Sequence, residues 1–488
     1  MNIDAICEKR KAEILNAPDA LEIVGTKYYV SAEGDDSNDG LTPKSPWKTL
    51  EKVSEAELKS GDGVLFRRGD IFRGKIMTKP NVSYGAYGEG DKPKLYGGEK
   101  DYADKDLWEL FDAENNIWHL KEKILDVGTL VFNHGEKHSV KLIPSYINGQ
   151  FVCRNDESKV FDIRKEAVRD LDLYWHFDEV LTEKESRGKT FPIPDTKVGG
   201  MGDIYLRCDA GNPGDIFDSI EAVAAVNMFR VGENENVHID NVCIKYVGRH
   251  GVNAGGKMCS GLRVTNCEIG WIGGAIQHYF GTDPNYPQGD RGTVTRYGNG
   301  VEIYGGCDDY EVSNCYIYEV YDAGVTHQVT TNGKLYTMTD IRYKNNLIEK
   351  CVYGIEYFLD MTKGDEDSYM KGIEMRGNII RESGYGWGQQ RHNTDTPALI
   401  KGWSYVNRAS DYVIEDNIFD RSAYRMLHLV ARDKESLPVM KNNTYIQKDG
   451  LKLGQYGYNR ETEPENTDFS EKAVKEIFGD KDAKVYVL

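Results

Sequence analysis

The sequence predicts an all-β protein, a solenoid of short stacked strands forming one elongated domain, and three observations predict it. The first is an internal repeat. The segments "VHIDNVCIKYVGRHGVN", "LRVTNCEIGWIGGAIQ", "YEVSNCYIYEVYDAGVTH", "IRYKNNLIEKCVYGIEY", "IEMRGNIIRESGYGWG" and "YVIEDNIFDRSAYRMLH" each open on an alternating strand. Each then carries a polar or small residue (Asn241, Asn266, Asn314, Asn345, Gly377, Asp416) and, three positions on, an apolar one (Ile244, Ile269, Ile317, Ile348, Ile380, Phe419). The second observation is that the steps between these markers are uneven, at 25, 48, 31, 32 and 39 residues. Propeller blades and helical hairpins repeat more regularly, whereas the turns of a solenoid carry loops of different length. The third is composition: 51 Gly and 31 Tyr against 14 Pro in 488 residues suit strands joined by tight turns.

The elements follow in chain order. Residues 1–26 read as a charged helical cap, with a helix at 5–17 expected to cover the open end of the solenoid and protect its edge. This stretch lacks the apolar centre of a signal peptide, so a cytoplasmic location is expected, or a secreted one if a leader has been removed. A second helix is expected at 46–57. The solenoid itself is expected over 27–450, interrupted around 100–230 by a large, irregular, aromatic insertion. Residues 451–488 read as an extension with a helix at 470–479 and a closing strand, "AKVYVL". One coil cannot bury its own apolar face, so neighbouring coils must stack. Asn266, Asn314 and Asn345 are expected to stack at one interior bend, their amides bonding the bent backbone and one another.

The formal charge of −18 makes nucleic acid and anionic membranes poor partners, and no apolar run is long enough to span a bilayer. The nine cysteines include no CxxC pair. Cys259/Cys267 and Cys307/Cys315 recur at one eight-residue offset, which reads as repeated core positions holding reduced thiols rather than a disulfide framework or a zinc site. "GDDSNDG", 34–40, begins like a calcium loop, but position twelve would be Pro46, which supplies no carboxylate; a turn is expected instead. No metal or other cofactor is expected.

The stretch "YYVSAEGDDSNDGLTPKSPWKTL" followed by "LKSGDGVLFRRGDIFRG" resembles the opening of many β-helix proteins that act on polysaccharides. The repeats resemble the right-handed parallel β-helix of the pectate-lyase-like superfamily, and the two regions together cover 27–75 and 235–450. The resemblance implies a single-stranded right-handed parallel β-helix with short terminal helices and inserted loops, and a carbohydrate-active protein. The polygalacturonase pattern of paired Asp with Gly-His-Gly and Arg-Ile-Lys is missing, as is a pectate-lyase calcium cluster. No family's catalytic residues are therefore carried over.

Candidate chemistry is read from the strands themselves. "NGVEIYGG", "DAGVTHQV" and "YGIEYFLD" are Gly-led strands whose leading aliphatics point inward, so Glu302, Thr326 and Glu356 point outward, as do Phe358 and Asp360. Strands on adjacent coils lie ~4.7–4.9 Å apart. Carboxylates one coil apart approach the ~5–5.5 Å of a retaining glycosidase pair, and two coils apart the ~6.5–9.5 Å of an inverting pair. Asp322 lies in the turn onto this face, where small Ala323 and Gly324 leave space beside it for a substrate, with His327 and Gln328 just beyond. Glu302, Asp322, Glu356 and His327 are thus the catalytic candidates. Glu302 is expected to be a general acid, its carboxyl desolvated by Tyr304. Substrate-binding candidates are Gln328, Asp360 and His278, together with Trp387, Arg391, His392, Lys401 and Trp403 of the loop "GYGWGQQRHNTDTPALIKGW". The bland alternatives are solvated strand glutamates, an Asx-turn at Asp322, interior histidines at 278 and 327, and packed tryptophans in a long loop.

The expected function is a glycoside hydrolase cleaving a plant or microbial oligosaccharide. Two alternatives stand beside it. A polysaccharide lyase or uronate epimerase would draw its base and cations from His327, Arg391, Lys401 and Arg425. A non-catalytic carbohydrate-binding β-helix would bind sugar without turning it over.

Overall fold

The computed structural model describes residues 2–19, 21–147, 150–177, 201–279, 294–361, 364, 367–391, 397–458 and 464–488. The backbone winds as a parallel β-helix with three parallel sheets. Sheet one runs through Ile76–Met77, Phe229–Gly232, the first parts of Val252–Ser260 and Val301–Ser313, then Ala323–Thr330, Tyr353–Asp360, Ala398–Gly402, Arg425–Ala431 and Lys452–Tyr458. Sheet two begins with Lys27–Val30, Gly63–Arg67 and Ser83–Tyr87, and ends with Thr337–Lys344, Tyr369–Arg376, Ala409–Glu415 and Val439–Lys441. Sheet three carries Cys243–Val247, Glu268–Ile272, Tyr316–Val320, Leu347–Glu349, Ile379–Ser383, Ile418–Ser422, Thr444–Gln447 and Lys484–Val487. The last 38 residues therefore continue the solenoid with a strand in sheet one and a strand in sheet three, rather than trailing from it.

The marker residues sit at one bend, but not inside it. Asn241, Asn266, Asn314, Asn345, Gly377 and Asp416 all have φ between 51° and 67°. That left-handed conformation is one that Asn, Asp and Gly tolerate better than other residues. Turning there points the following side chain into the core, so the interior ladder is displaced by one residue from the expected one. It is built from Cys267, Cys315, Asn346, Asn378, Asn417 and Asn443, all buried. Asn346 Nδ2 donates to Asn378 Oδ1 at 2.9 Å, Asn378 to Asn417 at 2.9 Å, and Asn417 to Asn443 at 3.0 Å; Asn443 ends the series on Asp480 Oδ2 at 2.8 Å. All nine cysteines are free and buried, with Cys259, Cys267, Cys307 and Cys315 in the solenoid core.

The helix Ile3–Leu15 does not cover the open end. It lies along the outer face of sheet three, with Cys7 and Ile14 against Tyr316, Leu347 and Ile379. Those outward residues are apolar and need a cover, whereas the ends have their own. Trp47, with Leu50 and Val53 of the short helix Leu50–Glu55, joins the core by the first coils, and Ala473, Val474 and Phe478 by the last. The 34–40 stretch is a run of Asx turns: Asp35 accepts from the Ser37 amide at 2.8 Å and Asp39 from the Leu41 amide at 3.0 Å. The insertion forms a mostly antiparallel sheet of Trp108–Asp112, Ile117–Leu120, Asp203–Arg207, Asp172–His176 and Val140–Lys141, over a core of its own that includes Trp108, Leu173, Trp175 and Leu206. It joins sheet three through Val127–Phe132, which pairs with Ile220–Ala224. Among the described residues no helix is long and apolar enough to cross a membrane.

Candidate functional site

A tetrad repeats where the chain passes from sheet three into sheet one: His250-Gly-Val-Asn253, Asn299-Gly-Val-Glu302, Ala323-Gly-Val-Thr326, Tyr353-Gly-Ile-Glu356, Ala398-Leu-Ile-Lys401 and Arg425-Met-Leu-His428. The glycines are there because the bend is tight. A Cβ on Gly300, Gly324 or Gly354 would meet the Cγ2 of Ile317, Ile348 or Ile380 at 3.2, 2.8 and 2.2 Å. The second and third positions of each tetrad thus face the core, while the first and fourth face out. Pairing places the fourth positions in one column: Asn253, Glu302, Thr326, Glu356, Lys401 and His428, continued by Gln455. Glu302 and Glu356 are two coils apart, which separates their strands by about 9.5 Å.

The carboxylates of this face are buried, with exposures of 6% for Glu302, 7% for Glu356 and 9% for Asp322. Each has a partner. Glu302 Oε2 lies 2.5 Å from His250 Nδ1, and Oε1 accepts from Gln328 Nε2 at 3.4 Å. Asp322 is paired with the Arg391 guanidinium, which lies 5.7 Å from the centre of the Tyr353 ring. Lys401 Nζ stands 3.7 Å from Glu356 Oε1 and donates to the Tyr353 hydroxyl at 2.9 Å. Further along, Arg425 donates to Gln455 Oε1 at 2.8 Å. Burial, then the charges of Arg425 and Lys401, push His428 down to about 3, so this imidazole is neutral. The face therefore changes character along the solenoid, from carboxylates to cations. Two buried polar atoms, Thr326 Oγ1 between the glutamates and Gln328 Oε1 beside them, have no hydrogen-bond partner among the described residues. Buried polar groups are normally satisfied, so such atoms mark a place for a ligand or water.

Two residues beyond Glu302, Thr326, Glu356 and Lys401 runs a second outward row, Tyr304, Gln328, Phe358 and Trp403. Phe358 packs on Trp403 at 4.3 Å and meets the edge of Tyr304 at 6.5 Å. Tyr304 is 44% exposed and its hydroxyl lies toward the Thr330 amide, so it does not desolvate Glu302 as expected.

The structure brings Glu302, Asp322, Glu356, Gln328, Arg391, Lys401 and Trp403 onto this outer face, and it places others elsewhere. His327 has the opposite strand parity and lies inside the solenoid. It is fully buried, bonded to Tyr343 Oη at 2.9 Å and stacked on Tyr357 at 5.3 Å. Trp387 is not a sugar platform: it is 1% exposed, packs on Tyr321 at 5.1 Å and donates to the Glu319 carbonyl at 2.7 Å. Asp360 lies at the far end of its strand, opposite Thr330 and four residues past Glu356. His278 belongs to the hairpin Ala275–Tyr279/Val294–Tyr297, its backbone opposite Thr295; its side chain lies outside the described part of the structure. His392 lies outside the described residues. Sequence reasoning missed His250 and Tyr353. The signal was present in the tetrads, whose first positions face the same way as their fourth.

No family model matches the chain. A curated relative, the lacto-N-biosidase of Bifidobacterium longum subsp. longum, is 40% identical over 81 residues, a match that takes in 14% of this chain and spans 5% of that relative's length. Similar solved structures include XylC in complex with xylose, with a TM-score of 0.44 and 11% identity over 89% of this chain and 70% of that one. The GH136 lacto-N-biosidase from Eubacterium ramulus has a TM-score of 0.34 and 12% identity over 99% and 70%. The pectate lyase Pel9A has a TM-score of 0.43 and 10% identity over 92% and 75%.

Proposed function

We propose that the protein is a glycoside hydrolase whose oligosaccharide substrate lies along the outer face of sheet one, with Glu302 as general acid and Glu356 as its partner carboxylate. The observation that carries this reading is the column itself: two buried glutamates on rigid strands, two coils apart, with the hydroxyl of Thr326, which has no partner among the described residues, between them. A spacing of about 9.5 Å between strands leaves room for a sugar ring and an attacking water, and falls at the wide end of the ~6.5–9.5 Å range of inverting enzymes. Glu302 protonates the departing glycosidic oxygen. Glu356, its charge balanced by Lys401, takes the proton of the water that attacks the anomeric carbon. Arg391 holds Asp322 beside the pair, and Tyr304, Phe358 and Trp403 offer apolar faces to sugar rings. The short likeness to a lacto-N-biosidase is in keeping with chemistry on a glycosidic bond.

The test is a panel of aryl glycosides and plant and microbial oligosaccharides, with products followed by mass and by the anomeric configuration of the first-formed sugar. Hydrolysis with inversion is the expected result. Lys401 with its bonded Tyr353 hydroxyl is the feature a lyase would use, and product absorbance from an unsaturated uronic residue would move the assignment there. Binding of a panel sugar without any product would leave a carbohydrate-binding protein.

A further inference from the structure

We propose that His250 is a positioning residue that keeps a proton on Oε2 of Glu302, an inference that rests on the reading of Glu302 as the general acid. An imidazole nitrogen has a single in-plane site, either a lone pair or a proton. The backbone N–H of Asn299 points at His250 Nδ1 from 3.1 Å. A main-chain amide is always a donor, so Nδ1 is the acceptor and the ring proton belongs on Nε2, the partner of one nitrogen setting the state of the other.

Glu302 Oε2 reaches the same nitrogen at 2.5 Å, is buried, and receives no hydrogen bond from any described residue. An ionised oxygen there would oppose a lone pair to a lone pair at hydrogen-bond distance and have nothing to stabilise its charge. Reading the contact as an imidazolium donating to a carboxylate fares no better, because the added proton would then face the Asn299 N–H. A carboxylic acid donating Oε2–H to Nδ1, where it shares the one lone pair with the Asn299 N–H in a three-centre bond, removes the clash of lone pairs. The other oxygen agrees, since Oε1 is the one that accepts from Gln328.

The rest of the neighbourhood fixes the ring rather than competing for the proton. The Asn227 side chain accepts from the His250 backbone amide at 3.0 Å, and Tyr297 meets the ring edge-on at 5.1 Å. The charged and titratable groups around it are Arg249 beside it in the chain, Tyr297, Glu302 one coil on, the Asp322–Arg391 pair two coils on, and Glu356 and Lys401 three and four coils on. In the reaction the Oε2 proton passes to the glycosidic oxygen as its bond to the anomeric carbon breaks. Glu302 is left as a carboxylate, the attacking water gives hydroxyl to carbon and a proton to Glu356, and His250 stays neutral throughout. After product leaves, Glu356 releases its proton to solvent and Glu302 takes one up, which restores both groups.

The test reads the proton directly. An infrared difference spectrum of the wild type minus Glu302→Gln at neutral pH is expected to show the carbonyl stretch of a protonated carboxylic acid. Burial pushes Glu319 up to about 7 and also raises Glu221, but both are common to the two proteins and cancel. In His250→Asn, and in His250→Gln as a second variant, an amide N–H can donate to Oε2 and favour the carboxylate, so the band should vanish from the matching difference spectrum. The alkaline limb of the pH–rate profile should move about one pH unit lower for the loss of one hydrogen bond to the neutral form. Absence of the band in the wild-type spectrum overturns the proposal, and so does its persistence in folded His250 variants. Failure of the hydrolase reading looks different: the band would be present while Glu302→Gln keeps its turnover, or while no glycoside is hydrolysed.

Discussion

Substituting phenylalanine for His327 distinguishes an interior histidine from one that reaches the substrate. Burial alone pushes this imidazole down to about 3, against ~6.5 in an unfolded chain. Its folded-state value is depressed, so the associated stability is fully present above the ordinary histidine range and is lost as pH falls from about 6.5 toward 3. At 1.36 kcal/mol per pH unit, the wild type at about pH 5 should have lost about 2 kcal/mol through this one residue. Phenylalanine keeps the stack on Tyr357, gives up the bond to Tyr343 Oη for about 1 kcal/mol at any pH, and has nothing to protonate. Urea unfolding at about pH 7.5 should therefore find His327→Phe less stable by about 1 kcal/mol, and at about pH 5 more stable by a similar amount. His428 titrates alike in both proteins and cancels. Turnover should stay within a few-fold of wild type. A stability difference that does not change with pH would refute the burial argument, and a folded but inactive variant would place His327 in the site.

Two further predictions concern what holds the site in place. Asn378→Ala removes bonds to the Tyr343 carbonyl and to Asn417 and leaves the Asn346 amide unpaired in the core, so it should cost about 2–4 kcal/mol by denaturant unfolding. The same change at exposed Asn345 should cost about 1–2 kcal/mol, for placing alanine in a left-handed conformation; a reversed order would mean that the interior ladder is misassigned. Trp387→Ala should lose about 3–5 kcal/mol of stability while the folded fraction keeps its KM. Trp403→Ala should do the opposite, raising KM with little change in unfolding.

The solenoid was legible because its cause is periodic. Strand alternation, a bend residue and an aliphatic three positions on recur often enough to fix which side chains face in, and the Gly-led strands carried the parity of Glu302, Thr326 and Glu356 with them. The interior ladder was misplaced by one residue because the eye falls on the asparagines at the left-handed bend, whereas Asn346 and Asn378 follow cysteines at equivalent positions in the two preceding coils and so hide the repeat. His327 failed by the same parity that served Glu302: it is one residue past Thr326 and must point the other way. The helix at 3–15 was placed at the wrong surface because sequence shows a charged helix with a few apolar positions and not which apolar strip those positions cover. Trp387 was misread because a Gly-rich loop looks exposed, and its tryptophan instead fills the bend beside Tyr321.

The claim that the outer face of sheet one does the chemistry is tested most directly by the turnover of Glu302→Gln and Glu356→Gln, each on the best substrate of the glycoside panel. Both substitutions keep side-chain shape while removing proton transfer, and both sites lie on strands whose backbone pairing does not depend on the carboxylate. The account predicts that each variant unfolds at the wild-type temperature to within a few degrees and loses about 10²–10⁴-fold in kcat. Near-normal turnover in either variant, with Asp322→Asn inactive, would contradict the Glu302–Glu356 pair and place the working carboxylate at the Arg391-bound turn.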